Sequence, residues 1–403
     1  MGMDADVLII GGGLNGPALA LALAQAGLSV VLIDARPAQA RAEVGFDGRA
    51  YALALASQHL LSALGVWRGL VAQPILQVVA SDGRGGEGAS PIALHFDAAE
   101  IEEGPMGFMV EDRHLYAAFL AALEAEPRIT LLPGQSVVAQ GVGSVTVASG
   151  RVLTGRLLVG CDGRGSGTAT RAGIRRQGWS YGQTALVTAV AHEAPHGGAA
   201  HQFFMPGGPL AILPLAGGHH SSIVWSERDP VAAEIATLDD EGFLAALRPR
   251  FGTFLGEIKL AGVRFTYPLS LSLAERFVAQ RLALVGDAAH GVHPLAGQGL
   301  NLGLRDVAAL AEVLVMAERR GEDLGALDVL QRYEHWRRFE VTALALGMDA
   351  INRLFSNDNP VLRGVRDLGL GLVNAMPGLR RSFIRQAAGV NGAQPKLLMG
   401  QPL

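Results

Sequence analysis

Along the first 34 residues the apolar positions fall into three blocks. Val7 to Ile10 is a short continuous apolar run, the stretch up to Gly27 is rich in alanine and leucine, and Ser29 to Ile33 is a second short run ending on Asp34. Short apolar runs suit strands buried on both faces, and the longer block between them suits a helix. The pattern predicts strand, tight turn, helix, strand. After Asp34 that regularity stops. GFDGRAYALALA (45–56) places Arg49 beside a predicted helix, and the polar stretch DGRGGEGASP (82–91) predicts a loop or hairpin tip. Glu111 to Leu123 is amphipathic, with Leu115, Phe119 and Leu123 on one stripe and Arg113 near its start. Residues 129–140 and 144–161 predict strands, with Leu157 to Val159 rejoining a parallel sheet and Asp162 at its carboxyl end, where ligands bind in such sheets.

From 178 to 280 the rhythm changes. YGQTALVTAVA, AAHQFFMPGGPLAILPL and HHSSIVWSE are strand-like, Asp239 to Leu247 predicts a helix, and EIKLAGVRFTYPL predicts a later strand. These elements predict an antiparallel sheet. Phe203, Phe204, Leu210, Ile212 and Trp225 give it an apolar, aromatic face, read either as core or as the wall of a site for a greasy, planar substrate. Leu282 to Val285 is one more short strand, followed by a turn and a helix from near Gly299 past Asp306. The remainder is helical, with Leu330, Tyr333, Trp336 and Val341 available for packing. The tail at 361–390 mixes Leu368, Leu370, Leu372 and Val373 with Arg363, Arg366, Arg380, Arg381 and Arg385. Such a mixture suits an acidic membrane surface, a packed helix or a partner-facing helix.

Composition narrows the function classes. A chain of 403 residues that is 49% hydrophobic and 17% charged fills a large core or two medium ones. The net charge of −4 gives no reason to expect nucleic acid. One cysteine, Cys161, excludes an internal disulfide and fits a reducing, cytoplasmic setting. Asp4 and Asp6 stand where a signal peptide would carry positive charge. No run approaches the ~18 apolar residues of a spanning helix, so any bilayer contact is expected to be peripheral.

Gly11, Gly13 and Gly16 supply G-x-G-x-x-G between the first strand and helix. The first allows the turn, the second lets a pyrophosphate approach the backbone, and the third permits close helix packing, while free N–H groups at the helix start face the phosphates. Asp34 falls where a carboxylate accepts from the adenosine ribose, and its charge disfavours a 2′-phosphate there. Arg49 and Arg113 read equally as phosphate or ring-edge contacts and as ordinary surface arginines. GDAAHGVHPLAGQGLNLGLRD (286–306) holds a second glycine cluster. Asp287, His290 and His293 lack the helical scaffold and spacing of zinc motifs, so no metal is expected. No lysine follows the glycines, which excludes a second phosphate loop. A cofactor clasp fits instead: Asp287 accepts a hydroxyl, Pro294 bends the chain across a ring, and the Gly297–Asn301 backbone presents N–H groups at a helix start. GVGSVTV (141–147) lacks a third glycine, so one tightly held dinucleotide is the economical reading.

Gly11-x-Gly13-x-x-Gly16 with Asp34, Arg49 and Arg113, then Cys161-Asp162-Gly163, then Gly286-Asp287-Ala288-Ala289-His290 through Pro294, Gly297, Gln298, Gly299 and Asn301 resemble the class A FAD-dependent aromatic hydroxylases. AGQGLNLGLRD and the LPL…SSIVWS segment resemble the ubiquinone-biosynthesis branch most. The resemblance implies an α/β fold: a glutathione-reductase-type FAD-binding domain (1–75, 105–175 and 280–320), an interleaved antiparallel-sheet substrate domain (76–104 and 176–279), and carboxyl-terminal helices (321–403). It further implies that the three glycines hold the pyrophosphate, Asp34 the ribose, and that Arg49 and Arg113 line the FAD cleft. Asp162 is implied to serve both FAD and the nicotinamide nucleotide, Asp287 the ribityl or phosphate region. Pro294, Gly297, Gln298 and Gly299 are implied to lie near the ring, with no side chain acting as a catalytic acid or base.

The implied chemistry is NADH or NADPH reducing FAD, O2 adding at C4a, and the hydroperoxide passing one oxygen atom to the ring of a polyprenyl phenol. Water must be kept out, or the oxidant is wasted as hydrogen peroxide. Peripheral contact with the inner face of the cytoplasmic membrane and with other quinone-biosynthesis proteins stays open on this reading. Alternatives are a soluble hydroxylase of a small phenol, a double-bond reductase working without oxygen, and a non-enzymatic FAD protein. A halogenase is disfavoured, since no lysine lies near the flavin motifs.

Overall fold

Short apolar runs do form the centre of the molecule. In this computed structural model, which describes residues 2–37, 46, 48–83, 93–292, 297–355 and 376–403, strands β1 (Ala5–Ile10) and β2 (Val30–Asp34) flank helix α1 (Asn15–Gln25). Both pair in parallel, and the sheet continues through β8 (Ile129–Pro133) on one side and β11 (Val152–Gly160) and β19 (Leu282–Leu284) on the other. Val7, Leu8 and Ile9 have no exposed surface, as a strand covered on both faces requires. Strands β9 (Val137–Gly141), β10 (Ser144–Val147) and β18 (Val278–Ala279) complete the eight-stranded sheet.

A second sheet of nine strands is built mainly from β12 (Arg176–His192), β13 (Ala199–Met205), β14 (Gly208–Pro214), β15 (His220–Arg228) and β17 (Phe265–Ala274). Their mutual pairings are antiparallel, as expected. Strand β5 (Gln77–Asp82) is the exception and joins β13 in parallel, because it enters from another sheet and not through a hairpin. It pairs in turn with β6 (Ala93–Asp97). Of the predicted loop or hairpin tip at 82–91, residues 84–91 lie outside the described ones. Strand β16 (Ile258–Leu260) pairs with β12, and the two-residue β20 (His290–Gly291) pairs with β17. The stretch after β19 therefore leaves one sheet and enters the other within a few residues.

A third sheet joins β3 (Ala50–Ala54), β7 (Gly107–Glu111) and β4 (Ala72–Ile75). Helices α2 (Leu55–Ala63), α3 (Asp112–Glu124) and the short α4 (Gly167–Arg171) follow strands of the first and third sheets. Helices α5 (Asp229–Thr237) and α6 (Asp240–Phe251) cover one face of the nine-stranded sheet. Two long helices, α7 (Gln298–Arg319) and α8 (Leu327–Phe355), pack on α1 and the first sheet. The last helix, α9 (Pro377–Ala388), docks through Ile384 beside Ile101 and Met106. Its arginines are not a free basic face: Arg380 pairs with Glu100 at 3.0 Å and Arg385 with Glu103 at 2.8 Å. Arg363, Arg366, Leu368, Leu370, Leu372 and Val373 lie outside the described residues. Among the described residues, no helix is long and apolar enough to cross a membrane.

Candidate active site

The turn after β1 is shaped by what glycine lacks. A Cβ at Gly16 would lie 2.0 Å from the Gly11 carbonyl oxygen, and one at Gly11 would lie 2.4 Å from that of Cys161. Gly11 also takes φ of +109°, which side chains resist. At Gly13 a Cβ would meet nothing within 4 Å, so the backbone there stands open to a ligand. Helix α1 starts with no side-chain cap, leaving its first N–H groups for an anion. The Asp34 carboxylate lies against Gly12, where a Cβ would come within 2.4 Å of Oδ2. A cleft at the ends of these strands is lined by Gly12, Asp34, Arg36 and Tyr116. This cradle fits an adenine dinucleotide.

The second glycine stretch forms a turn over residues 286–288 in which the Asp287 side chain stays partly exposed. Arg164 donates to Asp287 Oδ2 at 3.0 Å and to the Val292 carbonyl at 2.9 Å. Behind the turn lies a buried charged network. Asp306 has no exposed surface and accepts from Gly286 N–H at 3.0 Å, His290 Nε2 at 2.5 Å and Arg337 Nε at 2.7 Å. Burial acts to raise its pKa, but His290 and Arg337 outweigh that and hold the carboxyl below its usual range. Tyr333 donates to the Leu284 carbonyl at 2.8 Å, fixing the strand just before the turn. His290 thus serves the buried network, and neither a metal cluster nor a His290 side chain facing solvent is found among the described residues.

Helix α7 also starts without a side-chain cap, on Gly297 at φ +64°. Gly297 packs on β3, where its Cβ would lie 3.0 Å from that of Ala52. Asn301 is fully engaged: Oδ1 accepts from Ala54 N–H and Ser57 Oγ at 2.8 Å each, and Nδ2 donates to the Ala52 and Gly297 carbonyls at 2.8 and 3.2 Å. Its side chain stitches α7 to β3 and has no donor or acceptor left for a cofactor. Asp162 is similarly committed, accepting from Ser166 Oγ at 2.5 Å and from Thr168 N–H and Oγ1 at 2.9 Å each. Gln298 and Gly299 lie in the first turn of α7, partly exposed, while Pro294 and His293 fall outside the described residues.

Arg49 is tied to the start of the helix that carries Arg113, the Asp112 N–H donating to the Arg49 carbonyl at 3.0 Å. Arg49 lies 3.5 Å from Asp112 and over the Phe265 ring, and Arg113 donates to Glu111 at 2.7 Å. Cys161 is half-buried, and desolvation, with the Asp162 and Asp306 carboxylates adding to it, pushes its thiol well above the ordinary range, which leaves it a poor nucleophile.

The aromatic face of the large sheet requires a correction. Phe203, Leu210 and Trp225 share one register row across β13, β14 and β15, with Ile212 two residues along on the same face. All four are at most 1% exposed and pack under Phe243, Leu247 and Phe251 of α6, with Ile235 of α5 beside them. They are core, because that face is roofed by helices. The adjacent row, Phe265, Val187 and Val224, points the other way and is half-buried, as are Phe204 and Leu213. This second face packs toward the β3 corner: a Cβ at Gly48 would lie 3.2 Å from Ala189 N. Of the five predicted residues only Phe204 is on it.

Asn15 and Arg176 are site residues that motif spacing did not single out. Asn15 fills the space left by Gly286 and Gly303, where a Cβ would lie 2.2 and 2.3 Å from its Nδ2, so the two glycine turns touch. Arg176 donates to the Asp287 carbonyl at 2.9 Å. A polar residue inside the otherwise apolar start of α1 is the signal that could have found Asn15.

Comparison with known proteins agrees with this geometry. Residues 4–345 match the family model described as FAD binding domain. The ubiquinone hydroxylase UbiL of Rhodospirillum rubrum is 47% identical over 99% of this chain and 94% of its own. The 3-demethoxyubiquinol 3-hydroxylase of Escherichia coli is 37% identical over 96% of this chain and 98% of its own. Among solved structures, p-nitrophenol 4-monooxygenase PnpA of Pseudomonas putida superposes with a TM-score of 0.80, covering 98% of this chain and all of that one at 18% identity, which speaks to fold alone. With a family model matching most of its length and relatives this similar over nearly the whole chain, the chain belongs to the FAD-binding-domain family, among the class A FAD-dependent aromatic hydroxylases.

Proposed function

We propose that this enzyme hydroxylates the aromatic ring of a polyprenyl phenol in ubiquinone biosynthesis, consuming NADH or NADPH and O2. The observation that carries the reading is the near full-length 47% identity to a ubiquinone hydroxylase. Residues 1–75, 105–175 and 280–320 form the FAD-binding part, 76–104 and 176–279 the substrate part, and 321–403 the supporting helices.

FAD, when bound, supplies a flavin that the nicotinamide nucleotide reduces and that turns O2 into the oxidant. Gly11, Gly13 and Gly16 hold its pyrophosphate and Asp34 its ribose, while Arg49 and Arg113 border the cleft. Asp287, steadied by Arg164, accepts from a ribityl hydroxyl. Gly297, Gln298 and Gly299 offer uncapped N–H groups where negative charge is favoured. Asp162 acts on the cleft indirectly, by fixing the 162–168 turn. The half-buried face of Val187, Phe204, Leu213, Val224 and Phe265 receives the substrate ring and excludes water. With no paired carboxylates or activated nucleophile among the described residues of the cleft, the chain's contribution is positioning and desolvation, and an electron-rich phenol requires little acid catalysis.

Peripheral contact with a membrane follows from a lipid-dissolved substrate, and α9 contributes little free charge to it, since Arg380 and Arg385 are paired. The test is to follow O2-dependent NAD(P)H oxidation by the purified protein with polyprenyl phenols of different ring substitution, identifying products by mass spectrometry. A ring-hydroxylated polyprenyl product coupled to nucleotide oxidation is expected. Turnover of small phenols only, or a protein that binds no FAD, would refute the reading.

A further inference from the structure

A recess of about 860 Å³, open to solvent, lies where the carboxyl-terminal loop crosses the junction of α7 and α8. Arg305, Trp336, Arg337, Glu340, Gln386 and Asn391 are among the residues that line it. It is separate from the glycine turns and from the half-buried sheet face. One oxygen of Glu340 accepts from Arg305 and the other from Arg337, so two guanidiniums share one carboxylate on the wall. Asp306, the second partner of Arg337, also accepts from Gly286 and His290 on the interior side.

The donors outnumber the acceptors. The Arg337 side chain is 3% exposed, yet its Nη2 is buried without a hydrogen-bond partner. A buried donor left unpaired costs about 1–3 kcal/mol, more when charged. Asp306 and Glu340 are spent on its Nε and Nη1. Arg305 is brought in by an absence: Gly389 has no side chain, and a Cβ there would lie 2.7 Å from Arg305 Nη2. Gln394 donates to the Gly389 and Asn391 carbonyls, which ties the loop over the recess.

We propose that this recess binds a small oxyanion, a carboxylate or phosphate group, between Arg305 and Arg337, with Gln386 and Asn391 at its mouth. Guanidinium donors form their strongest hydrogen bonds with such groups. Arg337 also holds Asp306, which receives the Gly286 N–H of the cofactor turn. An anion that immobilises Arg337 therefore stiffens that turn and slows flavin release. The site stands or falls independently of which phenol is hydroxylated.

The holoenzyme is titrated calorimetrically with inorganic phosphate and, separately, with malonate, at ionic strength held constant with chloride. Saturable binding of one probe per chain is expected, and whichever probe binds more tightly identifies the class. Affinity should fall about tenfold in Arg305→Gln and about fivefold in Gln386→Glu, which changes only an exposed side chain. A saturating probe should slow flavin release on dilution about threefold in the unmodified enzyme, and in Gln386→Glu the same slowing should require about five times the probe concentration. No saturable binding of either probe, or affinity unchanged in both variants, overturns the site. Flavin release unaffected by a bound probe overturns the coupling.

Discussion

The two glycine turns that meet at Asn15 are stabilised by opposite means. The turn at 11–16 is a matter of backbone and space: its glycines let Gly11, Gly16 and Cys161 approach, and no charged side chain is buried within it. The turn at 286–288 is held from behind by Asp306, His290, Arg337 and Tyr333, three of them on α7 and α8. The first turn is held by backbone close approach, Cys161 being the distant residue its glycines meet, whereas the second depends on charged side chains from helices distant in sequence. Each substitution below separates these two kinds of support.

The largest effect is expected from Gly16→Val, whose Cβ would collide with the Gly11 carbonyl at 2.0 Å. No flavin should co-purify, and thermal unfolding should shift by the equivalent of several kcal/mol. Gly13→Ala is its control: a Cβ there meets nothing within 4 Å, so the apoprotein should unfold like the parent while flavin absorbance per chain drops. Equal damage to folding from both would show that the turn is not organised by close approach.

Asp306→Ala should cost about 3–5 kcal/mol in denaturant unfolding, because it strands the buried Arg337 charge. Adding Arg337→Met should recover part of that loss, and a purely additive double variant would contradict the network. Asp287→Ala should change apoprotein stability by no more than about 1 kcal/mol, since its pair with Arg164 is partly exposed. Flavin retention by dilution should nevertheless fall about tenfold, and full retention would remove Asp287 from the cofactor.

The smallest effect concerns acid. The Asp306 carboxyl lies below its usual range when folded, so its stabilisation is complete above about pH 4 and is lost as pH falls through the lowered value. Thermal midpoints of the parent and Asp306→Asn should differ by a constant amount from pH 8 to 5 and converge below pH 4. Convergence already at pH 6 would mean that another group titrates.

The same contrast explains what the sequence disclosed. The strand, turn and helix of residues 5–34 are legible because their apolar period and glycine spacing lie within that stretch, and the helices at 112–124 and 298–319 follow from period and glycine punctuation. His290 finds its partner in Asp306 on α7, and no spacing rule links Asp306 to Arg337 on α8. Asn301 and Asp162 sit inside cofactor motifs yet spend their side chains on neighbouring backbone, since motif position does not reveal orientation. For the large sheet, the predicted aromatic face takes in both Phe203 and Phe204, although strand alternation sends adjacent residues to opposite faces. Which face the helices cover depends on how α5 and α6 fold back, and strand period carries no trace of that.

The dependence of the second glycine turn on Arg337 and Tyr333 has a consequence for how the polypeptide is made. The first glycine turn emerges from the ribosome early, but it lacks β19, the second turn and their buried anchors. At ~5–20 residues per second, α8 follows on the order of tens of seconds later. During that interval the nascent chain exposes the edge of β11, which β19 will later occupy, as an unpaired parallel strand edge. On the proposed assignment of the second turn to the flavin, its capture is a late event of biogenesis, and chaperone demand should be set by that waiting time and not by the speed of the amino-terminal motif.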